Sequence, residues 1–114
     1  MIYKLFKTLP FLILLLPSCS DINFDSEIWK NWKEQESNMH MRWDMVDDLM
    51  ANYLHKGMTV DEIENLTGKV SLDTIQNEIV ARYNLGPCRR GIDYGTLEIR
   101  FNQGKLTSFE KICN

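Results

Sequence analysis

Leu97-Glu98-Ile99-Arg100-Phe101-Asn102-Gln103-Gly104-Lys105-Leu106 is the stretch on which the fold turns. Leu97, Ile99 and Phe101 alternate with Glu98 and Arg100, the period of two that buries one side of a strand and wets the other. Asn102-Gln103-Gly104 then supplies a short hairpin turn, with Gly104 where a positive φ is needed. Lys105–Cys113 continues as a further strand. Its Leu106, Phe109 and Ile112 break strict alternation, which predicts a bulge or a twist.

Upstream, the period changes to two from Ile75. Ile79, Ala81, Tyr83 and Leu85 alternate with Val80, Arg82 and Asn84, which predicts a first strand. Between it and the hairpin lies Gly86–Gly95 (GPCRRGIDYG), read as a loop on its three glycines and one proline. Short links make the three strands an antiparallel meander in the order 1-2-3. That order brings Cys88 and Cys113 to one edge of the sheet, two strands apart.

Further upstream the period is helical. Met39, Trp43, Val46, Met50 and Tyr53 make one stripe along Met39–Leu54, with Asp44, Asp47, Asp48 and Asn52 off it on a solvated face. His55-Lys56-Gly57 ends that helix with a basic turn and a left-handed glycine. Met58-Thr59-Val60-Asp61-Glu62-Ile63 starts the next: Thr59 as N-cap, Glu62 closing a capping box, Met58 and Ile63 as a hydrophobic staple. Gly68 closes it. Two helices on a three-stranded meander give an α+β layered sandwich, αα-βββ, over residues 38–114.

Residues 19–37 read as a tether ending in a docking segment. A short helix from about Ser26, with Ser26 as its N-cap, puts Ile28, Trp29 and Trp32 on one face. The two tryptophans either pack on the body or meet a partner or the membrane interface, where Trp is enriched. Before them, Met1–Ser18 (MIYKLFKTLPFLILLLPS) has two early lysines and an apolar core roughly half of the ~20 residues a membrane helix needs. It fits a secretory signal. Leu16-Pro17-Ser18-Cys19 resembles the bacterial lipobox, which implies acylation of Cys19 and cleavage before it. Acyl chains anchor a protein without a spanning helix, at about 0.8 kcal/mol per buried methylene. Ser20 after Cys19 resembles the outer-membrane sorting default, on the periplasmic face.

The whole chain has 114 residues and a formal charge of −3; without the leader's two lysines, 11 basic residues face 16 acidic ones, a formal −5. One small core fits that length, and a doubly wound nucleotide-binding sheet does not. The acidic balance argues against nucleic acid. An acidic body is not drawn to anionic headgroups either, so the acyl chains must hold it at the membrane. With Cys19 lipidated, Cys88 and Cys113 remain as an even pair, read as one disulfide of an oxidising compartment, with free buried thiols as the alternative. His40 and His55 have no metal-ligand spacing with them. No nucleophile–base grouping and no phosphate loop stands out, and no cofactor is expected.

Leu54-His55-Lys56-Gly57-Met58-Thr59-Val60-Asp61-Glu62-Ile63 with Leu66-Thr67-Gly68 resembles the L-x-x-G-M-T-x-x-E-V-x-x-L-L-G segment of the SmpA/OmlA family of small outer-membrane lipoproteins. Tyr83-Asn84-Leu85-Gly86 and the hairpin Leu97–Leu106 are similar to its strand pattern. The resemblance covers about residues 54–106 plus the leader, and implies a two-helix, three-stranded fold on a lipid tether. It also implies a protein-binding module that supports envelope assembly and is not an enzyme. Its contact surface would be the exposed sheet face or the Gly86–Gly95 loop, with Arg89, Arg90 and Tyr94 as anchors, since Arg and Tyr are common at hot spots; Trp29 and Trp32 of the docking segment, outside the resemblance, are further candidate partner contacts. Secreted β-lactamase-inhibiting proteins share the αα-βββ type, so an inhibitor or immunity-type lipoprotein blocking a hydrolase or toxin is the second expectation.

Overall fold

In the computed structural model, which describes residues 22–89 and 93–114, three helices lie against one face of a four-stranded antiparallel sheet. The helices are α1 (Ser26–Asn31), α2 (Met41–Asn52) and α3 (Val60–Thr67), and the strands are β1 (Leu72–Ile75), β2 (Glu78–Pro87), β3 (Tyr94–Asn102) and β4 (Lys105–Cys113), in the order β1-β2-β3-β4. The meander β2-β3-β4 is the expected one, with a fourth strand, β1, added at the β2 edge. The sequence reading missed β1 because all four of its residues are exposed and its turn has no glycine. Gln76 and Asn77 both take positive φ (49° and 70°), which makes a type I′ hairpin from side chains that tolerate it.

The second hairpin forms as read. Gln103 and Gly104 hold φ 53° and 77° between the paired Asn102 and Lys105. The expected irregularity in β4 is a bulge: Phe101 pairs with Leu106 and Arg100 with Ser108, leaving Thr107 as the extra residue. Thr107 Oγ1 donates to Arg100 O at 3.2 Å. Near this bulge the outer edge of β4 is covered by the α2–α3 connection. Gly57 N donates to Leu106 O, and Leu106 N to Met58 O, at 2.9 and 2.7 Å. An edge that is already paired does not template aggregation.

The α3 start is the capping box. Glu62 N donates to Thr59 Oγ1 and Thr59 N to Glu62 Oε1, while Met58 and Ile63 are both buried. Gly68 closes α3 at φ 84°. Two helix details differ from the sequence reading. Asp25, not Ser26, caps α1: its carboxylate accepts from Ile28 N at 3.0 Å. A carboxylate at the positive end of a helix is a stronger acceptor than a hydroxyl, and Ser26 Oγ donates instead to Leu66 O. In α2 the buried face is Met45, Val46 and Leu49, with Trp43 and Met50 at its margins and Tyr53 exposed. Counting Met39 and Tyr53 as helical turned the apolar stripe away from this face; the helix runs only from Met41 to Asn52.

The core joins these helices to the inward residues Ala81, Tyr83, Leu85, Leu97, Ile99, Phe101 and Leu106. It also takes in Phe24 and Trp29, the latter fully buried. The packed body therefore begins at Phe24, inside what the sequence reading treated as a tether up to residue 37. Asp48, read as a solvated acid, fixes this junction by accepting from Phe24 N at 2.7 Å. No helix of the described residues is long and apolar enough to cross a membrane.

Candidate functional site

Three places in the fold gather polar or aromatic side chains. The first is where Gly86 and Gly95 face each other across β2 and β3. The sequence reading put both in a loop. Here they are strand residues, because each must lack a side chain. A Cβ on Gly86 would stand 2.6 Å from Met39 O and 3.0 Å from the Trp32 ring, and one on Gly95 would stand 2.6 Å from the Trp43 ring. The glycine pair is thus a floor on which two tryptophans lie. Gly86 sits at φ 76° beside a β-bulge at Leu85, and Asn84 Oδ1 accepts from its N–H.

Arg42 locks this floor. Its guanidinium carbon lies 4.8 Å from the Trp29 ring centroid and 5.0 Å from that of Trp32. Nε and Nη2 donate to Trp29 O, and Nη1 to Asn84 O at the bulge. Burial lowers its pKa, yet a guanidinium stays charged at any physiological pH. Trp32 Nε1 donates to Asn38 O. On the other side Lys111 Nζ sits 3.8 Å from the Trp43 ring centroid and pairs with Asp47.

The second place is the adjoining end of the sheet. Cys88 and Cys113 form a disulfide, their Cα atoms 6.0 Å apart. Strands two apart in a sheet stand about 9.6 Å from each other, so the chain after Pro87 must turn inward for the pair to meet. It does so with Cys88 N donating to Asp93 O and with Pro87 O held by His40 Nδ1 at 3.0 Å. A carbonyl only accepts, so Nδ1 carries that proton. Arg89 makes a two-pronged ion pair with Asp44 (2.9 and 2.6 Å), and that carboxylate raises its already high pKa. Tyr94 is exposed and donates to Glu34 Oε2 at 2.8 Å, which raises its phenol pKa. Arg89 and Tyr94 thus meet at one end of the sheet with the disulfide, and both already hold partners within the chain.

Trp29 and Trp32 are brought together elsewhere, by Arg42. Trp29 offers no surface, since a ring that size contributes more in the core than at a rim. Trp32 is half-buried. Cys19 and Arg90 lie outside the described residues.

The third place is the sheet face that no helix covers. Arg82 Nε donates to Glu98 Oε2 (3.1 Å) and Arg82 Nη1 to Asp73 (2.9 Å). Arg100 Nε and Nη2 donate to Glu98 Oε1 (3.1 and 2.9 Å), and Arg100 Nη1 to Glu78 (3.4 Å). The result is a ladder Asp73–Arg82–Glu98–Arg100–Glu78 across three strands. Glu98 is its hub, with a side chain 13% exposed. Desolvation pushes the Glu98 carboxyl up, but the hydrogen bonds from both arginines outweigh it and hold the pKa below the usual value. Val80, fully buried on this same face between Arg100 and Asp73, is the apolar patch that long arginine stems can cover. Beside the ladder is an open depression of about 290 Å³ lined by Glu98, Arg100, Ser108, Phe109 and Glu110.

The alternation of Arg82, Glu98 and Arg100 placed each of them outward in the sequence. Their mutual register, which makes them one network, and the contribution of Asp73 from the unforeseen β1 came only with the fold. Among the described residues no group of three His, Cys, Asp or Glu side chains converges as a metal site. No protein-family model, curated protein or solved structure matches this chain.

Proposed function

We propose that this protein is a non-enzymatic lipoprotein, anchored through Cys19 to the outer membrane on its periplasmic face, that binds a protein partner of the cell envelope through the uncovered sheet face. The observation that carries the binding role is the ladder. Four carboxylates (Asp73, Glu78, Glu98 and Glu110) and two guanidinium groups stand on one flat face, and the ladder members are already oriented by one another. Side chains ordered in advance lose little entropy on binding. Four acids against the two arginines and Lys105 leave this face slightly acidic, which suits a partner with a basic rim.

The anchoring role rests on the leader and the lipobox of the sequence. A place in envelope assembly follows from the resemblance to the SmpA/OmlA segment. The histidine and acids nearest the disulfide serve the fold: His40 holds Pro87, and Asp44 holds Arg89.

The test is capture of partners by full-length protein extracted from membranes, with Cys19→Ala and Glu110→Lys as comparisons. Assembly subunits captured by the intact protein, and lost with either substitution, would support the reading. One soluble hydrolase or toxin captured equally by the intact and Cys19→Ala forms would overturn it in favour of an inhibitor.

A further inference from the structure

We propose that the side of the body bearing Ile22, Phe24, Ile28 and Tyr53 is seated on the lipid bilayer, leaving the charge ladder turned away from it. This rests on acylation of Cys19 and adds an orientation to it.

The first support is the length of chain between anchor and fold. Phe24 is buried at 6% exposure, its N–H is held by Asp48, and its ring lies 4.9 Å from Tyr53 and 5.7 Å from Trp29. Asp25 then caps α1. The body is therefore fixed from Phe24 onward, five residues after Cys19. At 3.3–3.6 Å per residue, five residues reach at most about 18 Å and the three to Ile22 about 11 Å. A helix layer alone is about 10–12 Å thick, and the sheet lies beyond it. A tether that short, leaving from the helix layer, cannot present the far face of the sheet to the membrane.

The second support is what surrounds the point of departure. Six large apolar or aromatic side chains are exposed among the described residues; of these, Ile22 (40%) stands two residues before Phe24, Tyr53 (40%) has its ring against that of Phe24, and Ile28 (47%) is on α1, which begins two residues after Phe24. Leu72 and Ile75 belong to β1, and Tyr94 to the disulfide end. Isoleucine side chains with a tyrosine at their margin suit the boundary between headgroups and acyl chains. Around it Asp25, Glu27 and Asp48 stand with Lys30 and Lys33, and the chain after the leader is acidic overall, so the acyl chains, and not charge attraction, supply the affinity. The occupant this fits is an uncharged or zwitterionic lipid surface.

The experiment uses the full chain, expressed with its leader, purified from membranes and reconstituted into phosphatidylcholine–phosphatidylethanolamine vesicles. A photo-crosslinking amino acid stands in place of Ile28 in one sample and of Ile75 in another; both are exposed, so neither exchange disturbs the core. The intact mass of each sample reports Cys19 acylation. The expected result is acylated protein with several-fold more lipid adduct from position 28 than from position 75. Acylated protein with equal or reversed labelling overturns the orientation alone, as does a protein–protein adduct at position 28 in place of a lipid one. Unmodified Cys19 overturns the anchored reading and the orientation together.

Discussion

On its inward side β3 carries Leu97, Ile99 and Phe101, all buried; on its outward side it carries Thr96, Glu98 and Arg100. The same nine residues thus build a packed core on one face and an ion-pair ladder on the other. The inward residues lose water and gain close contacts, worth about 1.5–3 kcal/mol for each fully buried side chain. The outward ones exchange water for partners in a wet setting, where exposed pairs contribute at most about 1 kcal/mol. The difference teaches that the inward face sets stability. The outward face holds its groups in order at little energetic gain, which is what a recognition surface needs.

That contrast can be broken from the inside first. Phe101→Ala empties the centre of the inward face and is expected to cost about 3–5 kcal/mol; a denaturant midpoint measured by circular dichroism checks it. Replacing both Cys88 and Cys113 by Ser opens a loop of 25 residues. The chain-entropy argument sets that loss at about 3 kcal/mol, to be read in the same titration against oxidised wild type, with reduced wild type expected to match the variant. Arg42→Ala removes a cation stacked between two tryptophans together with its bonds to Trp29 O and Asn84 O. A loss of about 2–3 kcal/mol is expected, with a shift in tryptophan emission that Arg89→Ala does not produce.

From the outside the changes are smaller. Glu98→Gln leaves the ladder's hub neutral and is expected to cost under about 1 kcal/mol, a difference that shrinks with added salt. Asp48 sharpens the comparison through pH. Its carboxyl is held below the usual value by the Phe24 N–H and by Asn52. A depressed folded pKa means the contribution is present above the unfolded value of about 4 and fades as the pH falls through the folded one. Asp48→Asn therefore lowers stability at neutral pH, where the charged carboxylate contributes, and flattens the acid limb, so that variant and wild type converge as the pH falls below about 4.

Legibility in the sequence followed the range of the interactions. The Thr59–Glu62 capping box and the Gly68 stop were readable because each is decided within a few residues. The Gln103-Gly104 hairpin was readable for the same reason, though Gln103 adopts a positive φ that the glycine alone did not announce. β1 escaped notice because an exposed edge strand has no apolar alternation to display. Gly86 and Gly95 read as loop punctuation because a missing side chain looks the same whether it frees a turn or admits a tryptophan. Of the surface residues singled out in advance, Arg89 and Tyr94 came together at the disulfide end. The ladder was visible only as separate outward charges.

By itself the sequence determined the local devices: the caps, the turns, the alternation of β2 and β3, and two cysteines, Cys88 and Cys113, able to meet at one sheet edge. These depend on φ preferences and on side chains three or four positions apart, which a linear string carries in full. Tertiary structure alone decided that the body begins at Phe24, that Trp29 is core, that Arg42 stacks between two rings, and that Asp73, Arg82, Glu98, Arg100 and Glu78 form one network. Each of those joins residues from different elements. Their energies depend on register and close approach, which exist only once the strands have paired and the helices have docked.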